Sequence, residues 1–141
     1  MQLTGKQIRV IKKSWEVFRT MNPMIVGDVF YSKLFFEYPA LRKLFKPSME
    51  EQYQKLINML SFIVSHLERI DDVTGDINQM AIRHVEYGVK EKHYAAVGEA
   101  LLYTLEKGLG NDWDEETKQA WTTCYTILTT DMIAVAYPNK T

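Results

Sequence analysis

Apolar residues recur at helical spacing along almost the whole chain, and this pattern limits the possible folds more than any other feature. In the first such stretch, Ile8, Ile11, Trp15 and Phe18 follow one another at intervals of three or four residues. Alternating β-branched residues and hairpin turn signals, which would predict strands, are missing. The sequence therefore predicts an all-α fold of about six long helices joined by short corners.

Capping residues and helix breakers predict where these helices begin and end. The second helix, for example, is expected to begin with Asn22 as its cap and to run through Phe35. Mid-helix Gly27 would let another helix approach closely. The other expected starts are Thr4 with Gln7, Pro47-Ser48 with Glu51, Lys92, and Asp112 with Glu115; the expected breaks are Pro39, Gly75-Asp76, Gly88, Gly108, Gly110 and Pro138.

Length and charge exclude several classes of protein. The chain has 141 residues, which predicts a single domain spanning 1–141. The formal net charge of −1 offers no basic surface to nucleic acid or to an anionic membrane. No apolar run has the length of a signal peptide or of a spanning helix, so we expect a cytoplasmic protein without a nucleic-acid or membrane partner. The single cysteine, Cys124, has apolar helical neighbours and is predicted to be a small core residue.

Most catalytic motifs are absent from the sequence. There is no GxSxG elbow, no phosphate-binding glycine loop and no HExxH pair. The Glu-x-x-His pairs of di-iron bundles are missing too. These absences argue against hydrolytic, nucleotide-binding and di-metal functions, and they leave the histidines as the candidate ligands.

One histidine lies on an apolar helix face. Ile77, Met80, Ala81 and His84 share the spacing i, i+3, i+4 and i+7 in a short helix that is expected to stop at Gly88. The pattern alone allows two interpretations. His84 is either a core residue with a satisfied hydrogen bond or the single axial ligand of a haem, which needs only one bond from neutral imidazole.

Several stretches carry a family resemblance. They are EYPALRKLF, RHVEYGV, HYAAVGEALLYTLEKGLG and AWTTCY, and their spacing agrees from end to end. In these stretches the chain resembles the globins, most closely single-domain bacterial globins, the globin part of flavohaemoglobins and neuroglobin-like chains. The resemblance implies a three-over-three helical fold around haem b, with His84 as the iron ligand.

The resemblance also implies which residues line the haem. Phe45, six residues after Pro39, corresponds to the phenylalanine that packs flat on the haem in the family. Lys55 would pair with a haem propionate, or else it is a solvated lysine. His66 and His93 are expected to be non-ligands. The other expected contacts are Gln52, Leu56, Val89, Tyr94 and Val97.

Across the iron, the register places Tyr31, Gln52 and Leu56 at the ligand-binding positions of the family. Without the resemblance, Tyr31 would be read as a core tyrosine and Gln52 as a solvated first-turn residue. A phenol and an amide can both donate to the partial negative charge on bound dioxygen. Such a pair implies slow oxygen release and less benefit for carbon monoxide. Glutamine is a poorer iron ligand than histidine, so an open sixth position is expected, with Tyr31 coordination of ferric iron as the alternative.

The sequence also departs from the family in two places. Tyr94 matches the tyrosine of a proximal His–Tyr–Glu network in flavohaemoglobins, but the position of the glutamate falls near Ala136. Without that carboxylate the imidazole should donate less electron density to the iron. Tyr53, beside Gln52, is larger than the residue usual in the family, and this bears on how closely another helix can approach Gly27.

The resemblance supports three alternative functions. The first is reversible, high-affinity oxygen binding through Tyr31 and Gln52. The second is nitric-oxide dioxygenation, in which bound oxygen converts nitric oxide to nitrate and a separate reductase restores the iron. The third is a regulatory globin fold without haem.

Overall fold

The computed structural model describes residues 3–86 and 88–137 and is built from helices. No strand occurs in these residues, which confirms the all-α prediction. The long helices are α1 Gly5–Arg19, α2 Pro23–Glu37, α3 Glu50–Ser65, α4 Thr74–Glu86, α5 His93–Leu109 and α6 Glu115–Ala136. Short 3₁₀ turns occupy Pro39–Leu44, Leu67–Val73 and Gly110–Asp112.

Two helix starts form as their caps predict. The Thr4 side chain accepts a hydrogen bond from the Gln7 backbone amide, and the Gln7 side chain accepts one from the Thr4 amide in return. The Asn22 side chain accepts from the Met24 amide at 2.9 Å. Both caps act within one turn of chain, so sequence-local chemistry is enough to fix them.

Two predicted caps are wrong. Helix α3 begins after Met49, without a side-chain capping bond, so Ser48 is not its cap. Helix α6 is capped by Asp114, whose carboxylate accepts from the Thr117 amide at 2.8 Å. Asp112 instead ends the preceding 3₁₀ turn. In the second case another capping residue lies two positions away, and packing selects between the candidates.

The predicted break at Gly75-Asp76 is also wrong, because both residues lie in the first turn of α4. Glycine costs a helix less there than in its middle, and an acidic side chain is favourable at a helix N-terminus. The predicted stop at Gly88 is consistent with the structure: α4 ends at Glu86 and Gly88 has a φ of 92°. Pro138 lies outside the described residues, and α6 ends at Ala136.

The buried residues form a large and a small cluster. The main core joins α1, α2, α3, α5 and α6, and α1 contributes Ile11, Trp15 and Phe18 to it. The small cluster lies under α4 and consists of Val73, Ile77, Ala81, Tyr94 and Met132. Helix α4 packs on α6, while α2 packs on both α3 and α5. In the described residues, no helix is long and apolar enough to cross a bilayer.

Cys124 is buried in the main core, as predicted. Burial raises the pKa of its thiol to about 11. Because the thiolate is the reactive form, the thiol is chemically inert in the folded protein at neutral pH.

A serine links α1 to α6 inside the core. The buried Ser14 hydroxyl accepts from the Trp121 indole N–H at 2.9 Å and donates to the Val10 carbonyl at 2.8 Å. Trp121 and Ser14 are both buried, so water cannot replace this partner. A second indole, that of Trp15, donates to the hydroxyl of half-buried Ser61 at 3.0 Å.

We therefore expect Ser14→Ala to lower the free energy of unfolding by about 1–3 kcal/mol, because it leaves a buried indole N–H without an acceptor. Ser61→Ala is the matched control. It removes the acceptor of Trp15 at a half-buried position and should cost less than about 1 kcal/mol. Urea unfolding followed by tryptophan fluorescence measures both values. Equal losses in the two variants would contradict the role given to Ser14.

Candidate functional site

The site begins at a buried tyrosine on α2. Tyr31 is 5% exposed and faces the main core. Four aromatic rings surround it, with centroid distances of 4.8 Å to Phe30, 5.8 Å to Phe35, 5.4 Å to Phe45 and 5.7 Å to Tyr53. The Tyr31 hydroxyl therefore belongs to a largely apolar setting, in which a hydrogen bond is stronger than in water.

Tyr31 and Gln52 are joined by a hydrogen bond between α2 and α3. The Gln52 Nε2 amide donates to the Tyr31 hydroxyl oxygen at 3.0 Å. Because Tyr31 accepts in this bond, its own hydrogen remains available to another acceptor, as does the second hydrogen on Nε2. The two side chains thus offer two donors side by side.

Burial also fixes the protonation state of Tyr31. It raises the pKa of the phenol to about 12, although the hydrogen bond with Gln52 partly opposes this increase. The negative charge of a phenolate is costly in an apolar setting. Tyr31 is consequently a neutral donor at physiological pH.

Helix α4 carries His84, which is half-buried, near its C-terminal end. Its Nδ1 lies 2.7 Å from the carbonyl oxygen of Met80, one turn earlier. A carbonyl only accepts, so Nδ1 carries the hydrogen and Nε2 carries the lone pair. This bond satisfies one ring nitrogen under both interpretations of His84, whether core residue or ligand.

The electrostatics of His84 suit a metal ligand. Burial lowers the pKa of the imidazole below its usual value, while the hydrogen bond to Met80 raises it and the charge of Arg83 lowers it. The net decrease keeps the ring neutral at physiological pH. A neutral imidazole with its Nδ1–H held by a carbonyl is the form in which histidine binds metals.

The other predicted residues divide between the two clusters. Phe45, Leu56 and Val97 belong to the main core with Tyr31, whereas Val89 and Tyr94 belong to the small cluster. Met80, whose carbonyl holds His84, packs against both clusters. The structure therefore places the His84 turn where the two clusters meet.

The remaining predicted residues lie outside these clusters. Lys55 is exposed on α3 and forms no ion pair within the described part of the chain. His66 and His93 are engaged locally at helix ends. His66 Nδ1 lies 2.8 Å from the Phe62 carbonyl, and His93 Nδ1 accepts from the Lys90 amide at 2.9 Å.

Three tyrosines, Tyr94 on α5, Tyr125 on α6 and Tyr137 directly after α6, belong to the small cluster or bond to it. Among the described residues the buried Tyr94 hydroxyl has no hydrogen-bond partner. Ala136, which lies near the position of the glutamate in the flavohaemoglobin network, packs against the same cluster. The Tyr125 hydroxyl donates to the Tyr94 carbonyl and that of Tyr137 to the Val89 carbonyl, both at 2.6 Å. The sequence did not predict these two hydrogen bonds, because a bond between a tyrosine and a distant carbonyl produces no recognisable spacing of residues along the chain.

These residues fit a haem. Among residues 3–86 and 88–137, no three His, Cys, Asp or Glu side chains are grouped to hold a bare metal ion. Haem needs only one protein ligand together with apolar surroundings. The structure supplies one neutral imidazole, aromatic and aliphatic side chains, and a buried tyrosine hydroxyl bonded to a half-buried glutamine amide.

Known proteins match the chain over most of its length. The family model described as Globin matches residues 28–132. An uncharacterized globin-like protein of Aquifex aeolicus is 32% identical over 133 residues, which cover 94% of each chain. Neuroglobin-2 of Oncorhynchus mykiss is 30% identical, with 93% of this chain and 91% of that protein covered.

A solved structure gives the same result. The bacterial globin of Campylobacter jejuni superposes with a TM-score of 0.81 at 27% identity, over 96% of this chain and 97% of that one. The comparisons by sequence and by structure thus both match this chain to globins over most of its length. The chain belongs to the globin family.

Proposed function

We propose that this haem-binding globin binds dioxygen reversibly and with high affinity. The observation that carries the proposal is the hydrogen bond of 3.0 Å between Gln52 and Tyr31 in an aromatic setting. It leaves two hydrogens for a polar gas ligand. The alternative, a haem-free regulatory fold, gives this pair of donors no function.

The proposal assigns the side chains of the site either to haem binding or to gas binding. His84 Nε2 binds the iron of haem b, while Phe45, Leu56, Val89, Tyr94 and Val97 contact the macrocycle and Lys55 pairs with a propionate. When bound, haem would supply a ferrous iron as the binding position for a gas molecule, and the bound gas would carry partial negative charge. Tyr31 and Gln52 then donate hydrogen bonds to that charge, and Leu56 keeps the surroundings apolar.

The donor pair gives selectivity. A hydrogen bond worth about 1.4 kcal/mol changes an affinity tenfold. Carbon monoxide gains less than dioxygen because it is less polar when bound. Two donors in an apolar setting should therefore slow the release of dioxygen far more than the release of carbon monoxide.

The same residues favour an open ligand position. An amide is a poor iron ligand, so Gln52 should remain a hydrogen-bond donor. Because burial raises the pKa of Tyr31 to about 12, forming a phenolate to ligate ferric iron carries an added cost. Both side chains are thus better suited to stabilise a ligand than to replace it.

The second candidate function, nitric-oxide dioxygenation, would use the same donors. It differs in needing electrons, because the iron must be reduced after each conversion of nitric oxide to nitrate. A separate reductase would then be an obligatory partner. The two functions therefore use the same residues to bind the gas. They differ in whether nitric oxide is converted to nitrate repeatedly.

Stopped-flow mixing of the oxygenated protein with nitric oxide separates the two functions. For an oxygen-binding protein we expect about one nitrate per haem, since nothing restores the iron. Repeated cycles of oxygenation and deoxygenation without nitric oxide should meanwhile return dioxygen unchanged. Sustained nitrate production after a flavin-dependent reductase and its nicotinamide cofactor are added would overturn our assignment in favour of the enzyme.

A further inference from the structure

A second tyrosine, Tyr53, occupies the crossing of α2 and α3. A Cβ atom on Gly27 would lie 2.7 Å from Tyr53 Cδ1 and closer still to Cγ. Real Cβ atoms do not approach a ring so closely, and only glycine leaves room for it. The Tyr53 ring is therefore seated directly on the backbone of α2.

Tyr53 also contacts Tyr31, the buried tyrosine of the candidate site. Its ring stacks on Tyr31 at a centroid distance of 5.7 Å and an interplanar angle of 21°. Phe45 contacts the same Tyr31 ring edge-on, at 5.4 Å and 69°. Tyr31 is thus restrained by two rings of different orientation that come from different segments of the chain.

The polar end of Tyr53 lies near Asp28, on the same helix that carries Tyr31. Burial raises the pKa of the Tyr53 phenol, and the negative charge of Asp28 raises it further. Asp28 follows Gly27 directly in the chain. One turn of α2 therefore contacts the Tyr53 ring through Gly27 and lies near the Tyr53 hydroxyl through Asp28. This arrangement gives Tyr53 a defined orientation relative to α2.

We infer that Tyr53 is a positioning residue: seated on Gly27 and stacked on Tyr31, it holds the Tyr31 hydroxyl at the distance from Gln52 at which both side chains can donate to a gas ligand. Hydrogen bonds weaken steeply as their angle and distance change, so a small tilt of the Tyr31 ring would weaken both donors. The inference rests on the proposed oxygen-binding function and adds a residue that sets its selectivity without touching the ligand.

The main test compares dissociation rates of dioxygen and carbon monoxide from the ferrous holoprotein. Tyr53→Ala should release dioxygen about fivefold faster, equivalent to about 1 kcal/mol, because Tyr31 loses its stacking partner. Tyr53→Phe keeps the ring and should stay within about twofold of the unaltered protein. Carbon monoxide release should change less than about twofold in both variants. An unchanged dioxygen rate in Tyr53→Ala, together with a faster rate in Tyr31→Phe, overturns the inference.

Two further variants separate positioning from general stability. Tyr103→Ala removes another partly buried tyrosine, whose ring faces Lys33 and Lys107, and should leave both rates unchanged. Gly27→Ala should displace the Tyr53 ring and speed dioxygen release as Tyr53→Ala does. Adding Gly27→Ala to Tyr53→Ala should then have little further effect, because the ring that it displaces is already gone. Additive effects would contradict the seating of Tyr53 on Gly27.

A spectroscopic readout keeps the inference independent of oxygen kinetics. In the ¹⁵N-labelled carbon monoxide complex, the Gln52 side-chain amide can be assigned by its loss in Gln52→Glu. We expect a shifted, protected signal in the unaltered protein and in Tyr53→Phe, and a solvent-like signal in Tyr53→Ala. A protected signal in Tyr53→Ala overturns the positioning role. If Tyr31→Phe leaves dioxygen release unchanged, the proposed function fails, and this signal still decides whether Tyr53 holds Tyr31 against Gln52.

Discussion

Replacing His84 with alanine should lower haem affinity by a factor on the order of 10² or more. Loss of residues that merely orient a metal ligand already costs 10–100-fold, and loss of the only protein ligand should cost more. The structure supports this expectation because the Met80 carbonyl fixes the Nδ1–H form and burial lowers the pKa of the ring. Haem titration followed at the Soret band, and haem transfer to a competing acceptor protein, measure the change.

His66→Ala and His93→Ala are matched controls, since both remove a histidine whose Nδ1 bonds to residues within four positions in the chain. Both variants should keep the absorbance spectrum of the unaltered protein. A retained Soret band in His84→Ala, or its loss in either control, would show that another side chain holds the iron. Failure of the unaltered protein to take up haem on reconstitution would instead support a haem-free regulatory fold.

Tyr31→Phe should speed dioxygen dissociation by about tenfold or more, which corresponds to one lost hydrogen bond of about 1.4 kcal/mol. The substitution keeps the ring among its aromatic neighbours and removes only the hydroxyl. It also removes the acceptor of Gln52, so the amide loses its fixed orientation. Carbon monoxide dissociation should change much less, and laser photolysis with ligand replacement measures both rates.

Tyr125→Phe is the matched control, because its hydroxyl donates to the Tyr94 carbonyl and not to Tyr31 or Gln52. It should leave dioxygen release unchanged. Since the pKa of Tyr31 is about 12, this donor stays protonated below that value, and dioxygen release should show no titration from it between about pH 6 and 10. An unchanged dioxygen rate in Tyr31→Phe would remove the basis for a high-affinity oxygen protein.

The helices could largely be predicted from the sequence, because their signals are local. The Thr4–Gln7 box and the Asn22 cap act within one turn and form as expected. Ser48 and Asp112 are not caps in the structure. A residue that can cap a helix marks only a possible helix start, and tertiary packing decides which of the possible starts is used. Gly75 failed as a break because glycine disrupts the middle of a helix more than its first turn.

The site was predictable only in part. The apolar spacing singled out His84, and the family resemblance supplied Tyr31 and Gln52. The contacts that decide the chemistry depend on side chains meeting across helices. The Gln52 amide that donates to the Tyr31 hydroxyl and the Tyr53 ring that stacks on Tyr31 are two examples. Such contacts arise from tertiary packing, and the spacing of residues along one helix does not contain them.

The small cluster under α4 bears on how firmly that helix is held. The cluster contains five buried side chains, whereas the rest of the molecule is joined by a far larger core. Segments with little buried apolar area open at lower free energy than the whole protein. We therefore expect the backbone amides of α4 to exchange with solvent faster than those of the helices in the main core, and haem bound at His84 would slow that exchange most in α4.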